Sequence, residues 1–197
     1  MKKNAKIAEW VNEVFPSIIE EATTVGAKIY FEDESGISLN MFSGRTWSIK
    51  GKTPVVYRSG QRVKRTMAAA ISPEGDLYFE TFEGGITAER YKSFLEHLNY
   101  QEGGITFVIH DGLPPHKSKL VQEYVESTKG KMRTFQLPGY SPELNPEEWV
   151  WERLKRELGK RAHKSIEELT GHAVDVMNKI KSNRKLIASY YTHVYST

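Results

Sequence analysis

The sequence predicts an α/β fold in which a mixed β-sheet carries helices on both faces. Strand-like runs separated by turn residues fill the stretch from Gly44 to Glu83, which is typical of an antiparallel meander. After Thr87, helical and strand patterns alternate, which is typical of strands joined by helical crossovers. The chain has 197 residues, 39% of them hydrophobic, and is therefore long enough to bury one sizeable core.

The first half of the chain turns from a helical pattern to strands. Apolar residues spaced by three and four from Ile7 to Ile19 predict an amphipathic helix with a kink at Pro16. Gly26 then introduces a predicted strand over residues 28–33. Turn residues separate further predicted strands, which cover residues 46–49, 54–57, 66–71 and 77–82.

In the second half of the chain, segments with helical spacing alternate with strand-like apolar runs. Residues 87–100 have helical spacing, and Thr87 is a suitable N-cap. The nearly continuous apolar run at residues 105–109 predicts a central strand covered on both faces. The remaining predicted elements are a helix over residues 117–129, a strand over 132–137, and helices over 146–158 and 165–180.

Composition excludes several functional classes. The longest apolar run, residues 67–71, is too short for a membrane span or a signal-peptide core. The absence of cysteine excludes disulfides, cysteine nucleophiles and thiolate metal sites, and is typical of an intracellular protein.

The formal net charge of only +3 hides a strong segregation of charge. No acidic residue lies between Glu34 and Glu74, and a second basic excess follows Trp151. Clustered cations bind polyanions by displacing counterions from phosphates, but a solvated, basic edge hairpin explains the pattern equally well. The acid-free stretch contains seven cations: Arg45, Lys50, Lys52, Arg58, Arg62, Lys64 and Arg65.

Acidic residues follow two of the predicted strands. Glu32-Asp33-Glu34 ends the first strand, and strand alternation puts Asp33 on the same face as Phe31. Asp111 ends the buried strand in the same way. Such strand ends carry functional sites in open α/β sheets, although each aspartate taken singly is explained as a turn or capping residue.

A third acidic position opens the helix predicted after residue 145. Asn145-Pro146 followed by Glu148 resembles a capping pattern, and helical periodicity slightly favours Glu147 as the inward-facing acid. If acids from all three positions converge, their oxygens suit Mg²⁺ or Mn²⁺. Two such ions about 3.5–4 Å apart activate a water or a 3′-hydroxyl and stabilise the leaving oxygen of a phosphodiester displacement.

Three segments carry a resemblance to a known family. They are FEDES at residues 31–35, HDGLPPH at residues 110–116, and LPGYSPELNPEEWVW at residues 137–151. In these segments the chain resembles the catalytic domain of DDE transposases, in particular the mariner-like superfamily and its prokaryotic insertion-sequence relatives. The resemblance implies an RNase H-like fold and a catalytic, metal-binding triad of Asp33, Asp111 and Glu148. It therefore selects Glu148 over Glu147.

The resemblance also suggests roles for residues around the triad. His116 matches a histidine that the family often carries, and is expected to orient a phosphate or the nearby carboxylate, although a local helix-capping role is an equal alternative. Gly112 departs from the asparagine that relatives usually have beside the second aspartate. Trp149 points away from the apolar face of its helix and is available to stack on a base, whereas Trp151 is expected in the core.

The implied function is a metal-dependent DNA endonuclease and strand-transferase that uses two Mg²⁺ or Mn²⁺ ions. The implied partners are transposon ends and target DNA, a homodimer partner and a separately encoded helix-turn-helix subunit, with no membrane. We expect one RNase H-like domain over residues 1–197, with residues 1–25 as a packed helical segment and no helix-turn-helix domain. The expected location is cytoplasmic and nucleoid-associated. Alternatives are a non-catalytic, transposase-derived nucleic-acid-binding protein and an RNase H-type nuclease.

Overall fold

The computed structural model describes residues 2–39, 50 and 64–195. Its strands are β1 (Lys28–Ser38), β2 (Lys64–Ile71), β3 (Leu77–Glu83), β4 (Thr106–His110) and β5 (Met132–Gln136). Its α-helices are α1 (Lys2–Glu9), α2 (Phe15–Val25), α3 (Ala88–Glu102), α4 (Lys119–Ser127), α5 (Glu148–Leu158), α6 (Ile166–Lys181) and α7 (Arg184–Tyr195).

The strands form one mixed sheet in the order β3-β2-β1-β4-β5. β1, β2 and β3 pair antiparallel as a meander, whereas β4 pairs parallel with both β1 and β5. The predicted mixed sheet is therefore confirmed. The strands predicted over residues 46–49 and 54–57 lie outside the described residues.

Helices cover both faces of the sheet, as predicted. On one face, α3 and α4 pack on a cluster that includes Tyr30, Ala68 and Val108. On the other face, α2, α5, α6 and α7 pack on a cluster that includes Phe31 and Phe107. Alternate residues of β1 enter the two clusters, because successive strand side chains point to opposite faces.

The N-terminal helical pattern is interrupted as expected. A π-helical turn, Trp10–Val14, separates α1 from α2, and Pro16 lies in the first turn of α2. A proline there lacks the N–H that would continue the preceding helical ladder. Phe15 and Ile18 of α2 are buried against the sheet.

The structure corrects two sequence expectations. β1 does not end at Asp33 but continues to Ser38, because its antiparallel pairing with β2 extends to the Ser38–Lys64 pair. Helix α7 was not predicted from the sequence. It is held by Ile187 and Tyr190, which are buried, and by Tyr195, whose hydroxyl donates a hydrogen bond to the Leu144 carbonyl. None of the helices in the described part of the chain is both long and apolar enough to cross a membrane.

Candidate active site

The parallel pairing of β1 and β4 brings the first two candidate acids to one level. Phe31 of β1 is paired with Ile109 of β4, and the next side chains on that face are Asp33 and Asp111. β4 ends at His110, so the chain leaves the sheet at Asp111 while β1 runs on beside β2. This opens the sheet edge next to Asp33.

A tight turn fixes the position of Asp111. Its Oδ1 accepts a hydrogen bond from the Leu113 N–H at 2.9 Å, and the Gly112 N–H donates to Nδ1 of His110 at 3.0 Å. Gly112 has φ of +80°, and a Cβ there would lie 2.4 Å from Cδ of Gln136. The glycine that departs from the family's asparagine thus occupies a left-handed and crowded position.

The start of α5 separates the roles of Glu147 and Glu148. Asn145 is extended, its Oδ1 accepts from the Glu147 N–H, and its carbonyl accepts from the Glu148 N–H. Glu148 is exposed and lines a cleft with Asp33 and Asp111. Glu147 is completely buried, and neither of its carboxylate oxygens has a hydrogen-bond partner. Burial raises the pKa of Glu147 well above its usual range, with a further contribution from the charge of Asp33.

The cleft has a volume of about 410 Å³ and brings together the predicted triad. It is lined by Asp33, Asp111 and Glu148 and by the loop of residues 137–142. Burial, together with the negative charges of Glu148, Glu34 and Asp111, raises the pKa of Asp33 to about 7. The cleft therefore concentrates negative charge around a partly buried carboxyl group.

His116 lies behind Asp111 and is buried between carboxylates. Its Nε2 is 2.8 Å from Oε1 of Glu34, and its Nδ1 is 3.2 Å from Oδ1 of Asp111. Burial opposes protonation of the ring, but Asp111, Glu34 and Glu32 outweigh it and raise the pKa of His116 to about 10. Burial likewise opposes ionisation of Asp111, yet the contact with His116 and the Leu113 N–H hold the pKa of that aspartate below its usual range. His116 thus links Glu34, which follows Asp33 on β1, to Asp111.

A second group of potential ligands lies on the opposite face of β1 from Asp33. Glu32, Glu34 and His116 each offer one atom, and these atoms all lie within 4.8 Å of one another. Burial and the charge of Glu34 raise the pKa of Glu32 well above its usual range. The positive charge of a protonated His116 offsets the neighbouring carboxylates, so the group does not require a bound ion.

The two tryptophans of α5 have different surroundings, as expected. Trp149 is 42% exposed and its ring centroid lies 5.4 Å from that of His193. Trp151 is buried, but it does more than fill the core, since its Nε1–H donates a hydrogen bond of 3.1 Å to Oδ2 of Asp33. The sequence pattern gave no sign of this contact, because it joins residues 118 positions apart.

The basic segment is only partly described. Lys50 and Lys64 are exposed, and Arg65 is paired with Glu83 at 2.8 Å. The other predicted DNA-binding residues, Arg45, Lys52, Arg58 and Arg62, lie outside the described residues.

A family model described as "DDE superfamily endonuclease" matches residues 28–170, which include all three cleft acids. The chain belongs to this endonuclease family. The sequence resemblance to DDE enzymes is thereby confirmed. A curated relative from Shigella sonnei, the "Insertion element IS630 uncharacterized 39 kDa protein", is 27% identical over 128 residues. That alignment covers 64% of this endonuclease-family chain and 37% of the relative, so the chain spans little more than a third of the relative's length.

Solved structures of the Mos1 mariner transposase have the same fold. The isolated Mos1 catalytic domain superposes with a TM-score of 0.58 at 17% identity, covering 94% of this chain and 93% of that domain. A Mos1 paired-end complex with Mg gives a TM-score of 0.65, also at 17% identity, covering 98% of this chain and 62% of the Mos1 chain. The predicted RNase H-like fold is confirmed for this DDE-family chain.

Proposed function

We propose that this chain is the catalytic domain of a transposase that cleaves and rejoins DNA phosphodiester bonds with two divalent metal ions. Asp33, Asp111 and Glu148 are the proposed ligands and catalytic residues. The observation that carries the proposal is their convergence on one cleft of a DDE-family fold, with Asp33 surrounded by negative charge.

The chemistry of the cleft fits divalent metal ions. Its acids offer only oxygen donors, which suit Mg²⁺ and Mn²⁺. A divalent cation would relieve the charge repulsion that, in addition to burial, raises the pKa of Asp33 to about 7. Asp33, Asp111 and Glu148 would hold these ions.

Each residue has a distinct part in the proposed reaction. Asp33 of β1 and Asp111 after β4 would hold the metal ions, together with Glu148 in the first turn of α5. When bound, the ions would supply activation of a water or a 3′-hydroxyl and stabilisation of the leaving oxygen. His116 lies 3.2 Å from Asp111, and this contact helps to hold the pKa of Asp111 below its usual range.

The proposed DNA contacts are lysines in the cleft and in the basic segment. Lys117 lines it, and the exposed Lys50 and Lys64 belong to the basic segment that we propose binds phosphates. Affinity from phosphate contacts predicts little sequence specificity and a steep dependence on salt. We therefore propose that recognition of transposon ends needs a helix-turn-helix module, in a longer chain or a separate subunit, and that paired ends need a homodimer. A DNA substrate would place the protein on the nucleoid.

The proposal is tested by nicking of supercoiled DNA in Mn²⁺. Wild type is expected to nick, and Asp111→Asn is expected to lose at least a hundredfold in rate because a ligand charge is removed. Asp175→Asn, an exposed position on α6, is the matched control and should nick as wild type does. Equal nicking by Asp111→Asn would refute the triad. Parallel reactions on an RNA–DNA hybrid test the RNase H alternative, which predicts preference for the hybrid.

A further inference from the structure

The indole of Trp151 makes a polar contact with the candidate site. Its Nε1 lies 3.1 Å from Oδ2 of Asp33, within hydrogen-bond distance, while the ring is 1% exposed. The indole N–H is a donor only, so the bond has one direction and holds one oxygen of the carboxylate. The other oxygen of Asp33 is left for the cleft.

The geometry of α5 explains how this one helix both carries Glu148 and contacts Asp33. Trp151 follows Glu148 by three positions on α5, so the two side chains leave neighbouring points of the same helical surface. Glu148 lines the cleft, and the indole of Trp151 contacts Asp33 on β1. The position of α5 therefore sets the geometry of both carboxylates together.

We infer that Trp151 is a positioning residue that aims Asp33 at the metal ions, an inference that rests on the proposed function. The ring is fixed by the core around it, including Leu154, which is completely buried. A rigid donor on a carboxylate ligand is the arrangement that orients metal ligands in many sites, and its loss typically costs about 10–100-fold in metal affinity.

The test compares Mn²⁺ binding by wild type and Trp151→Phe, with free Mn²⁺ counted by electron paramagnetic resonance. Phenylalanine keeps an aromatic ring in the core and removes the donor. We expect Mn²⁺ to bind at least tenfold more weakly. Nicking should need correspondingly more Mn²⁺, with the maximal rate at saturating Mn²⁺ largely recovered. In an Asp33→Asn background, Trp151→Phe should cause no further loss of Mn²⁺ affinity.

Trp10→Phe is the matched control. Trp10 is also buried, and its indole N–H also donates a hydrogen bond, but to the Tyr195 hydroxyl. This variant should keep wild-type Mn²⁺ affinity even where it lowers stability. If Trp151→Phe does not fold, replacement of Trp151 by benzothienylalanine, which keeps the bicyclic shape and lacks the N–H, gives the same comparison.

The outcomes separate the inference from the proposed function. Wild-type Mn²⁺ affinity in a folded Trp151→Phe or benzothienylalanine variant would overturn the positioning role. An equal loss of affinity in Trp10→Phe would overturn it too, because a general loss of packing would then explain the effect. If wild type itself showed no Mn²⁺ binding that depends on Asp111, the proposed function would fail first.

Discussion

His116→Gln should destabilise the protein in a pH-dependent way. The ring is completely buried, with Glu34 at 2.8 Å, Asp111 at 3.2 Å and Glu32 at 4.0 Å from its nitrogens. Glutamine fills much of the space but carries no charge, so the surrounding carboxylates lose their cation. Removal of one partner from a buried ion pair costs about 3–5 kcal/mol. The rise of the His116 pKa from 6.5 to about 10 corresponds to about 5 kcal/mol, a similar magnitude.

The pKa of His116 also fixes the sign of the pH dependence. Because the folded-state pKa lies above the unfolded value, folding takes up a proton at this site. The stability from this ion pair is therefore fully present below pH 6.5 and is lost as the pH rises towards about 10. The difference in unfolding free energy between wild type and His116→Gln should shrink across that window.

Urea denaturation in buffer containing EDTA measures this difference from pH 6 to pH 10. His97→Gln is the control, since His97 pairs with Glu80 at 2.6 Å but its side chain is 59% exposed. An exposed pair contributes about 0–1 kcal/mol, so this control should differ little from wild type. A His116→Gln loss below 1 kcal/mol at pH 6, or a loss that does not change up to pH 10, would refute the buried ion-pair role.

Three further predictions concern single side chains near the cleft. Glu147→Gln should stabilise the metal-free protein more at pH 8 than at pH 5, because the raised pKa of Glu147 makes wild type lose stability above pH 4.5. Urea denaturation in which wild type is more stable than the variant at pH 8 would contradict this. Gly112→Ala should lower the free energy of unfolding by about 1–3 kcal/mol, because φ is +80° and a Cβ would meet Gln136. Gly139→Ala, where a Cβ would meet open space, should lower it by less than about 1 kcal/mol in thermal denaturation. Equal losses would argue against the strained turn. Glu148→Gln should lower the pKa of Asp33 below about 7 in a carbon-13 NMR titration, and an unchanged value would show that the two carboxylates are not coupled.

The face of the sheet on which a strand residue lies was predicted more accurately than the residue at which the strand ends. Alternation along β1 correctly assigned Asp33 to the face of Phe31, because a period of two is a local property of extended chain. The end of β1 was wrong because it depends on pairing with β2, a partner more than 25 residues away along the chain. Helix α7 was missed for a similar reason, since the helix packs on distant aromatic residues such as Phe15 and Phe31.

The acidic pair at the start of α5 shows what periodicity can and cannot decide. Helical spacing indicated that Glu147 lies nearer the apolar face, and Glu147 is indeed buried. It could not indicate that Glu148 lines the cleft, because the cleft is formed by β1, by the turn after β4 and by the 137–142 loop. The contact from Trp151 to Asp33 could not be predicted either, since a buried tryptophan gives the same sequence pattern with or without a polar partner.

Anomalous diffraction at the manganese edge, from crystals of the protein grown with Mn²⁺, tests the central claim most directly. The proposed function predicts anomalous density in the cleft between Asp33, Asp111 and Glu148, with two peaks about 3.5–4 Å apart once a phosphodiester is bound. Density confined to Glu32, Glu34 and His116, with none in the cleft, would contradict the claim.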